Sequence, residues 1–315
     1  MGEFELIGRL FQPLADATRT PGTLLGPGDD CAIQRVPAGQ DLVFSVDTLV
    51  EGVHFPFQYD ASLLGWRALA VAVSDLAAVG AAPVCYTLAL TLPEADEYWA
   101  AGLVSGLREA SLAFGIGLAG GDTTRGPLML TVQVHGTVPE GQALRRNGAQ
   151  PGDLIAVTGP LGGAAAALGW LDSPANEAPR ALLECYHRPV PQLALGHELR
   201  GIASAAIDIS DGLAADLSHI LKASGVAAVL RTDTIPRQYG TVEATLEQAL
   251  YGGDDYQLCV TVPAQAWQDM PDTLTRRLHV IGTICEGRGL ELQRSDGTRE
   301  PLASGAGYDH FRERR

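Results

Sequence analysis

Lysine is almost missing from this chain: of 315 residues, Lys222 is the only one. A Walker A loop needs Gly-Lys-Ser/Thr, and a protein kinase needs a strand lysine facing its phosphates, so both are excluded. A pyridoxal Schiff base would have to use Lys222 itself, which sits in the helical "HILKASG" as an ordinary surface lysine does. Cysteine is also sparse. The five residues at 31, 85, 185, 259 and 285 are odd in number, far apart and without a C-x-x-C pair, which argues against a disulfide framework or a zinc site. Positive charge is short as well: the net charge of -15 would repel a phosphate backbone and argues against nucleic acid as a partner. The opening "MGEFELIGRLF" has no basic region followed by a long apolar one, and a cytoplasmic chain is expected. The most apolar stretch, 68–92, is interrupted by Asp75, Gly80 and Pro83, so a helix followed by a strand is expected there, not a membrane span.

With 46% hydrophobic residues the chain can bury a large core, and its length fits two domains. Alternation predicts a strand over 41–50. Helical spacing predicts helices over 62–79 and 96–114, and strands are expected at 83–92 and 128–138. The Gly/Pro-rich 139–153 is the expected linker, which sets the domains at 1–138 and 139–315. Beyond it, strands are expected near 153–159, 205–209, 226–231, 256–262 and 278–284, with helices at 162–170, 191–200 and 212–224. Both halves are α/β in composition (α+β in arrangement). "GIGLAG" at 115–120 matches a dinucleotide fingerprint, but a helix precedes it and a strand follows; the order is reversed, and a tight turn is expected instead.

What the chain has in excess is aspartate beside glycine. "GPGDDC" carries Asp29 and Asp30, "SVDT" Asp47, "AVSDLA" Asp75, "GGDTT" Asp122, "DISDGLAAD" Asp208, Asp211 and Asp216, and "YGGDDYQL" Asp254 and Asp255. A single Asp-Gly pair usually marks a turn or a cap. Asp47, however, interrupts a buried-strand pattern, and Asp75 lies near the end of an apolar helix where no cap is needed. Carboxylates among apolar residues need a cation. Hard oxygen donors without His/Cys clusters suit magnesium completed by phosphates and water, and neighbouring glycines let backbone N–H groups approach phosphate. The pattern points to magnesium-nucleotide chemistry without a P-loop.

These segments resemble the thiamine-monophosphate kinase family of the aminoimidazole-ribonucleotide-synthetase-like superfamily. The matching stretches are "GPGDDCA", "SVDTLVEGVHF", "AVSDLAAVGAAP", "GGDTTRG", "NGAQPGD", "DISDGLAADL", "GGDDYQL" and "GYDHF", in family order over almost the whole chain, with "DTLVEGVHF" the most specific. The resemblance implies a two-domain fold like that of aminoimidazole ribonucleotide synthetase, a homodimer joined through N-terminal-domain strands, and magnesium-dependent transfer of phosphate from ATP to thiamine phosphate. It implies metal binding at Asp30, Ser45, Val46 (through its backbone oxygen), Asp47, Asp75, Asp122, Asp208 and Asp211. ATP contacts fall to Gly121, Asp122, Arg146 and Ser210, and substrate contacts to His54, Asp255 and Tyr308. Two departures stand out: Asp254 replaces the family's usual Glu, and Gly163 and Ala164 occupy a turn that often carries a polar residue.

The expected nucleophile is an oxygen of the thiamine phosphate. With a second pKa of about 6 it is already anionic at neutral pH, so no general base is required. Other readings remain open: another ATP-using member of the superfamily, or a magnesium-nucleotide sensor without turnover. "DTLVEGVHF" disfavours the synthetase. A reactive cysteine with a nearby lysine, as selenophosphate synthetase needs, is absent, and the chain closes on "FRERR" where hydrogenase-maturation relatives carry a cysteine.

Overall fold

The computed structural model describes residues 2–174 and 178–302. It divides into two compact units: residues up to Leu76 with Ala81–Gln142, and Ala77–Gly80 with the residues from Ala143 onward.

The first unit opens with a nearly continuous helical run, α1 (Glu3–Leu6), a π-helical turn (Ile7–Phe11) and α2 (Gln12–Thr18). A small hairpin-like pair, β1 (Thr23–Leu25) and β2 (Ile33–Gln34), brackets the "GPGDDCA" loop. Then follow β3 (Gln40–Val50), α3 (Ala61–Ala78), β4 (Ala82–Leu92), α4 (Glu97–Phe114), β5 (Gly117–Arg125) and β6 (Met129–Pro139). The sheet order is β3-β6-β4-β5; only β4 and β5 run parallel, as the intervening α4 requires.

Period-2 alternation decides which side of this sheet each residue occupies. Along β3 the even positions Leu42, Phe44 and Val46 are 44%, 66% and 58% exposed, whereas Leu49 on the other face is buried. Leu49 registers with Leu130, Asp47 with Val132 and Ser45 with Val134, and all three β6 partners are buried. Ser45 and Asp47 therefore lie on the covered face. Helices α3 and α4 touch closely because Gly106 has no side chain: a Cβ there would run into the Ser62 carbonyl, and Trp66 meets Phe114 edge-on at 5.1 Å. Helix α3 is long and apolar enough to cross a membrane by composition, but 78% of it is buried within the protein. It is a core helix.

One expectation is corrected in part. Within 115–120 the tight turn is confined to Gly115, which caps α4 at a φ of 66°, and from Gly117 to Arg125 the chain is a strand. Glycine is tolerated because β5 sits at a sheet edge pressed against its neighbours: a Cβ on Gly121 would collide with the Leu88 carbonyl of β4.

The second unit contains β7 (Leu154–Val157), α5 (Gly163–Ala167), α6 (Arg180–His187), α7 (Leu193–Leu199), β8 (Ala205–Asp208), α8 (Leu213–Ser224), β9 (Ala227–Arg231) and α9 (Leu246–Tyr251). β10 (Leu258–Val262), α10 (Ala264–Asp269), α11 (Asp272–Thr275), β11 (His279–Cys285), β12 (Gly289–Gln293) and β13 (Arg299–Pro301) complete it. Seven strands form one sheet in the order β13-β12-β9-β11-β7-β10-β8, antiparallel except for β12 beside β9. Each face has its own core. Ile155, Val157, Ile207 and Cys259 pack with Leu213, Leu217 and Ile220 of α8, whereas the alternate residues Ala156, Ala206, Leu258 and Val260 pack with Leu195, Leu199 and Leu274.

Candidate functional site

In the first unit three of the sequence-selected residues come together. Asp30 in the β1–β2 loop and Gly121 and Asp122 on β5 line one pocket of about 650 Å³, with Gly26, Gly28, Asp29 and Gly120 beside them. That is within the range of small-molecule sites. Its remaining wall is apolar and includes Phe4, Ile7, Phe11, Leu88 and Leu118. Asp30 and Asp122 are both solvent-exposed, and among the described residues neither carboxylate takes a hydrogen bond or an ion pair.

Beneath the same sheet, Ser45 donates a hydrogen bond to the Asp75 carboxylate. Between positions 64 and 78, Asp75 is the only residue that is not buried, so this apolar helix opens at one point and places an acid there. Asp47, one alternation further along β3, is half-buried on the same face as Ser45. Val46 points its side chain to the opposite, exposed face. His54 lies in the turn after β3, where its Nδ1 accepts the Val50 N–H at 3.0 Å; the neutral ring then carries its proton on Nε2.

In the second unit, Asp208 closes β8 and is 5% exposed; Ser210 and Asp211 follow in the loop to α8. This loop is knitted to the "YGGDDYQ" loop: the Asp254 N–H donates to the Ser210 carbonyl at 2.9 Å, and the N–H of Tyr256 to that of Ile209 at 2.8 Å. Asp254 and Tyr256 hold positive φ angles of 67° and 50°, a conformation that non-glycine residues rarely adopt, and the Tyr256 hydroxyl donates to Asp254 at 2.7 Å. Such conformations cluster at functional sites.

Asp216 has a role that its spacing did not announce. Its Oδ2 accepts the N–H groups of both Ser210 and Asp211 at 3.0 Å, clasping the loop from the first turn of α8. Burial pushes its carboxyl up to about 7, against the pull of these N–H donors and with the help of the Asp208 and Asp211 charges. Asp255 is likewise turned to the backbone: both its oxygens accept the Gly162 N–H, at 2.9 and 2.8 Å, at the start of α5. Desolvation raises it to about 8, although the N–H groups of Gly162, Gly163 and Ala164 favour its charged form. This accounts for Gly163 and Ala164 in that turn. Asp255 reaches their backbone, so no polar side chain is required of them. Arg146 is exposed, and its carbonyl accepts from the Ser224 hydroxyl at 3.3 Å. Tyr308 lies outside the described residues.

All the acids selected for metal binding, with the Ser45 hydroxyl and the Val46 carbonyl, are hard oxygen donors, the chemistry magnesium takes. Among the described residues no three His, Cys, Asp or Glu side chains form a ready-made metal cage. Magnesium commonly binds one or two carboxylates and completes its octahedron with phosphate and water, so the dispersed acids fit it better than they fit zinc or calcium.

Fold and acidic loops define an AIR synthase related protein: the N-terminal domain of that class matches residues 28–138 and its C-terminal domain residues 150–295. The thiamine-monophosphate kinase of Salmonella typhimurium is 42% identical over 322 residues, with 98% of each chain covered. The crystal structure of the thiamine-monophosphate kinase from Stenotrophomonas maltophilia K279a matches with a TM-score of 0.81 and 42% identity, covering 91% of this chain and 96% of that one. A structure of AaThiL complexed with AMPPCP and TMP matches with a TM-score of 0.75 and 29% identity over 98% and 97% of the two chains. The chain belongs to the thiamine-monophosphate kinase family.

Proposed function

We propose that this chain transfers the γ-phosphoryl group of ATP to thiamine monophosphate, giving thiamine diphosphate by direct in-line attack. The observation that carries the proposal is the pocket of the first unit, where two exposed carboxylates, Asp30 and Asp122, share one cavity with Gly26, Gly28, Gly120 and Gly121. Family membership supplies the substrates: AaThiL was solved with AMPPCP, an analogue of ATP, and TMP.

The chain's own residues have three tasks in this reaction. Asp30, Asp47, Asp75 and Asp122 would hold magnesium in the first unit, and Asp208 and Asp211 in the second; Ser45 and Val46 would add oxygen donors. Magnesium held by these residues would supply positive charge against the phosphates, favouring in-line approach of the anionic acceptor. Glycine at 120–121 lets phosphates lie against the backbone, and Ser210 and Arg146 add a hydroxyl and a fixed positive charge. His54, Asp255 and Tyr308 are assigned to thiamine phosphate. No side chain need take a proton from the acceptor phosphate, which is already ionised at neutral pH.

The proposal extends to a cytoplasmic homodimer. The exposed row Leu42, Phe44 and Val46 supports pairing through the outer face of β3, where a second copy would cover apolar area that a monomer leaves in water. Incubation with ATP, magnesium and thiamine monophosphate, with thiamine diphosphate detected chromatographically, tests the reaction. Accumulation of the diphosphate in step with ADP is expected. ATP bound but never consumed would favour the sensor reading.

A further inference from the structure

The loop that carries Ser210 and Asp211 is held through its backbone from two directions. From the 254–257 segment come three hydrogen bonds. The Ile209 N–H donates to the Gln257 carbonyl at 2.8 Å, the Tyr256 N–H to the Ile209 carbonyl at 2.8 Å, and the Asp254 N–H to the Ser210 carbonyl at 2.9 Å. Gly253 permits this approach, since a Cβ there would stand 2.3 Å from the Ser210 oxygen. From α8 comes Asp216, whose Oδ2 takes the N–H groups of Ser210 and of Asp211, each at 3.0 Å. Gly212 fixes the turn between them: its φ is 108°, and a Cβ there would lie 2.9 Å from the Tyr251 carbonyl carbon. With these N–H and carbonyl groups engaged, the loop addresses a ligand through its side chains.

Asp216 is 3% exposed and presents almost no surface to a ligand. A carboxylate gives up water only for strong partners. Its partners here are the backbone donors of the two residues assigned above to nucleotide and magnesium. Resting on that assignment, we propose that Asp216 is a positioning residue of the phosphoryl-transfer site: by holding the 210–211 backbone with one oxygen, it sets where the Asp211 carboxylate meets the metal. It touches neither metal nor substrate itself. Groups that orient metal ligands from behind change metal affinity about 10–100-fold when they are altered.

Position and charge are separated by two substitutions. Asp216→Asn keeps an acceptor oxygen where Oδ2 stands and removes the charge; Asp216→Glu keeps the charge and carries it one methylene further. Manganese is the probe, titrated with saturating AMPPCP into each folded protein and followed by the electron paramagnetic resonance of the free ion. Asp211→Asn identifies the ion held at this loop as the one that this variant loses. For that ion Asp216→Asn should bind within threefold of the parent, and Asp216→Glu at least about tenfold more weakly. Should Asp216→Glu not fold, Asp216→Ala takes its place with the same expectation. Asp216→Glu binding as the parent does, or Asp216→Asn weakened as much as Asp216→Glu, overturns the positioning role and leaves the metal assignment standing. A parent chain with no manganese ion that depends on Asp211 removes the assignment, and the positioning role with it.

Discussion

Two acids of the first unit, Asp30 and Asp122, and two of the second, Asp216 and Asp255, are the same residue type in different physical states. Asp30 and Asp122 are exposed in a pocket, with no protein donor among the described residues, so their charge is available to a ligand. Asp216 and Asp255 are desolvated and turned inward, and each is committed to backbone N–H groups: Ser210 and Asp211 for one, Gly162 for the other. An acid beside glycine is thus not one signal. It marks a presented charge where the neighbouring backbone is left open, and a loop clasp where the neighbouring N–H groups have no other acceptor.

The largest difference between the two groups should appear in turnover. Asp122→Asn keeps size and removes charge, and should lower kcat at least a hundredfold with a Tm close to that of the parent, because losing a charge contact to the transition state has effects of that order. A kcat within threefold of the parent would remove Asp122 from the site. Asp216→Ala should do the opposite. Without its acceptor the 210–211 N–H pair is left unsatisfied, at about 1–3 kcal/mol of stability in urea denaturation. An unchanged midpoint would show that the clasp is dispensable.

The elements that the sequence revealed are those governed by local periodicity. Strand 41–50 and helices 62–79 and 96–114 appear as Gln40–Val50, Ala61–Ala78 and Glu97–Phe114. The glycine-rich strand at 117–125 was hidden because its conformation is imposed by β4 alongside it; glycine has no strand propensity of its own to display. Candidate site residues stood out in the sequence where the acid broke a pattern, as Asp75 does in α3 and Asp47 in β3. The clasps were not. Asp255 meets Gly162 across 93 positions of chain, and no spacing rule connects them.

The burial of Asp255 also makes stability depend on pH. Asp255 has a folded pKa near 8, above the 3.8 of an ordinary aspartate, so the folded chain retains a proton that the unfolded chain releases. Stability should therefore fall as pH rises from about 4 to about 8, by at most about 1.4 kcal/mol per pH unit for this one group, and level off above it. Asp255→Asn, which keeps an acceptor for the Gly162 N–H, should flatten that slope in denaturation curves taken at several pH values. A slope unchanged in the variant would show that Asp255 titrates normally.

The claim on which the rest depends is that phosphate passes directly from ATP to thiamine phosphate at the acids of this chain. Following ATP labelled on its γ-phosphate tests it most directly. The label should appear as the terminal phosphate of thiamine diphosphate, one for each ADP formed, and should cease to appear when magnesium is chelated. Label released only as inorganic phosphate, or thiamine diphosphate formed without label, would contradict it.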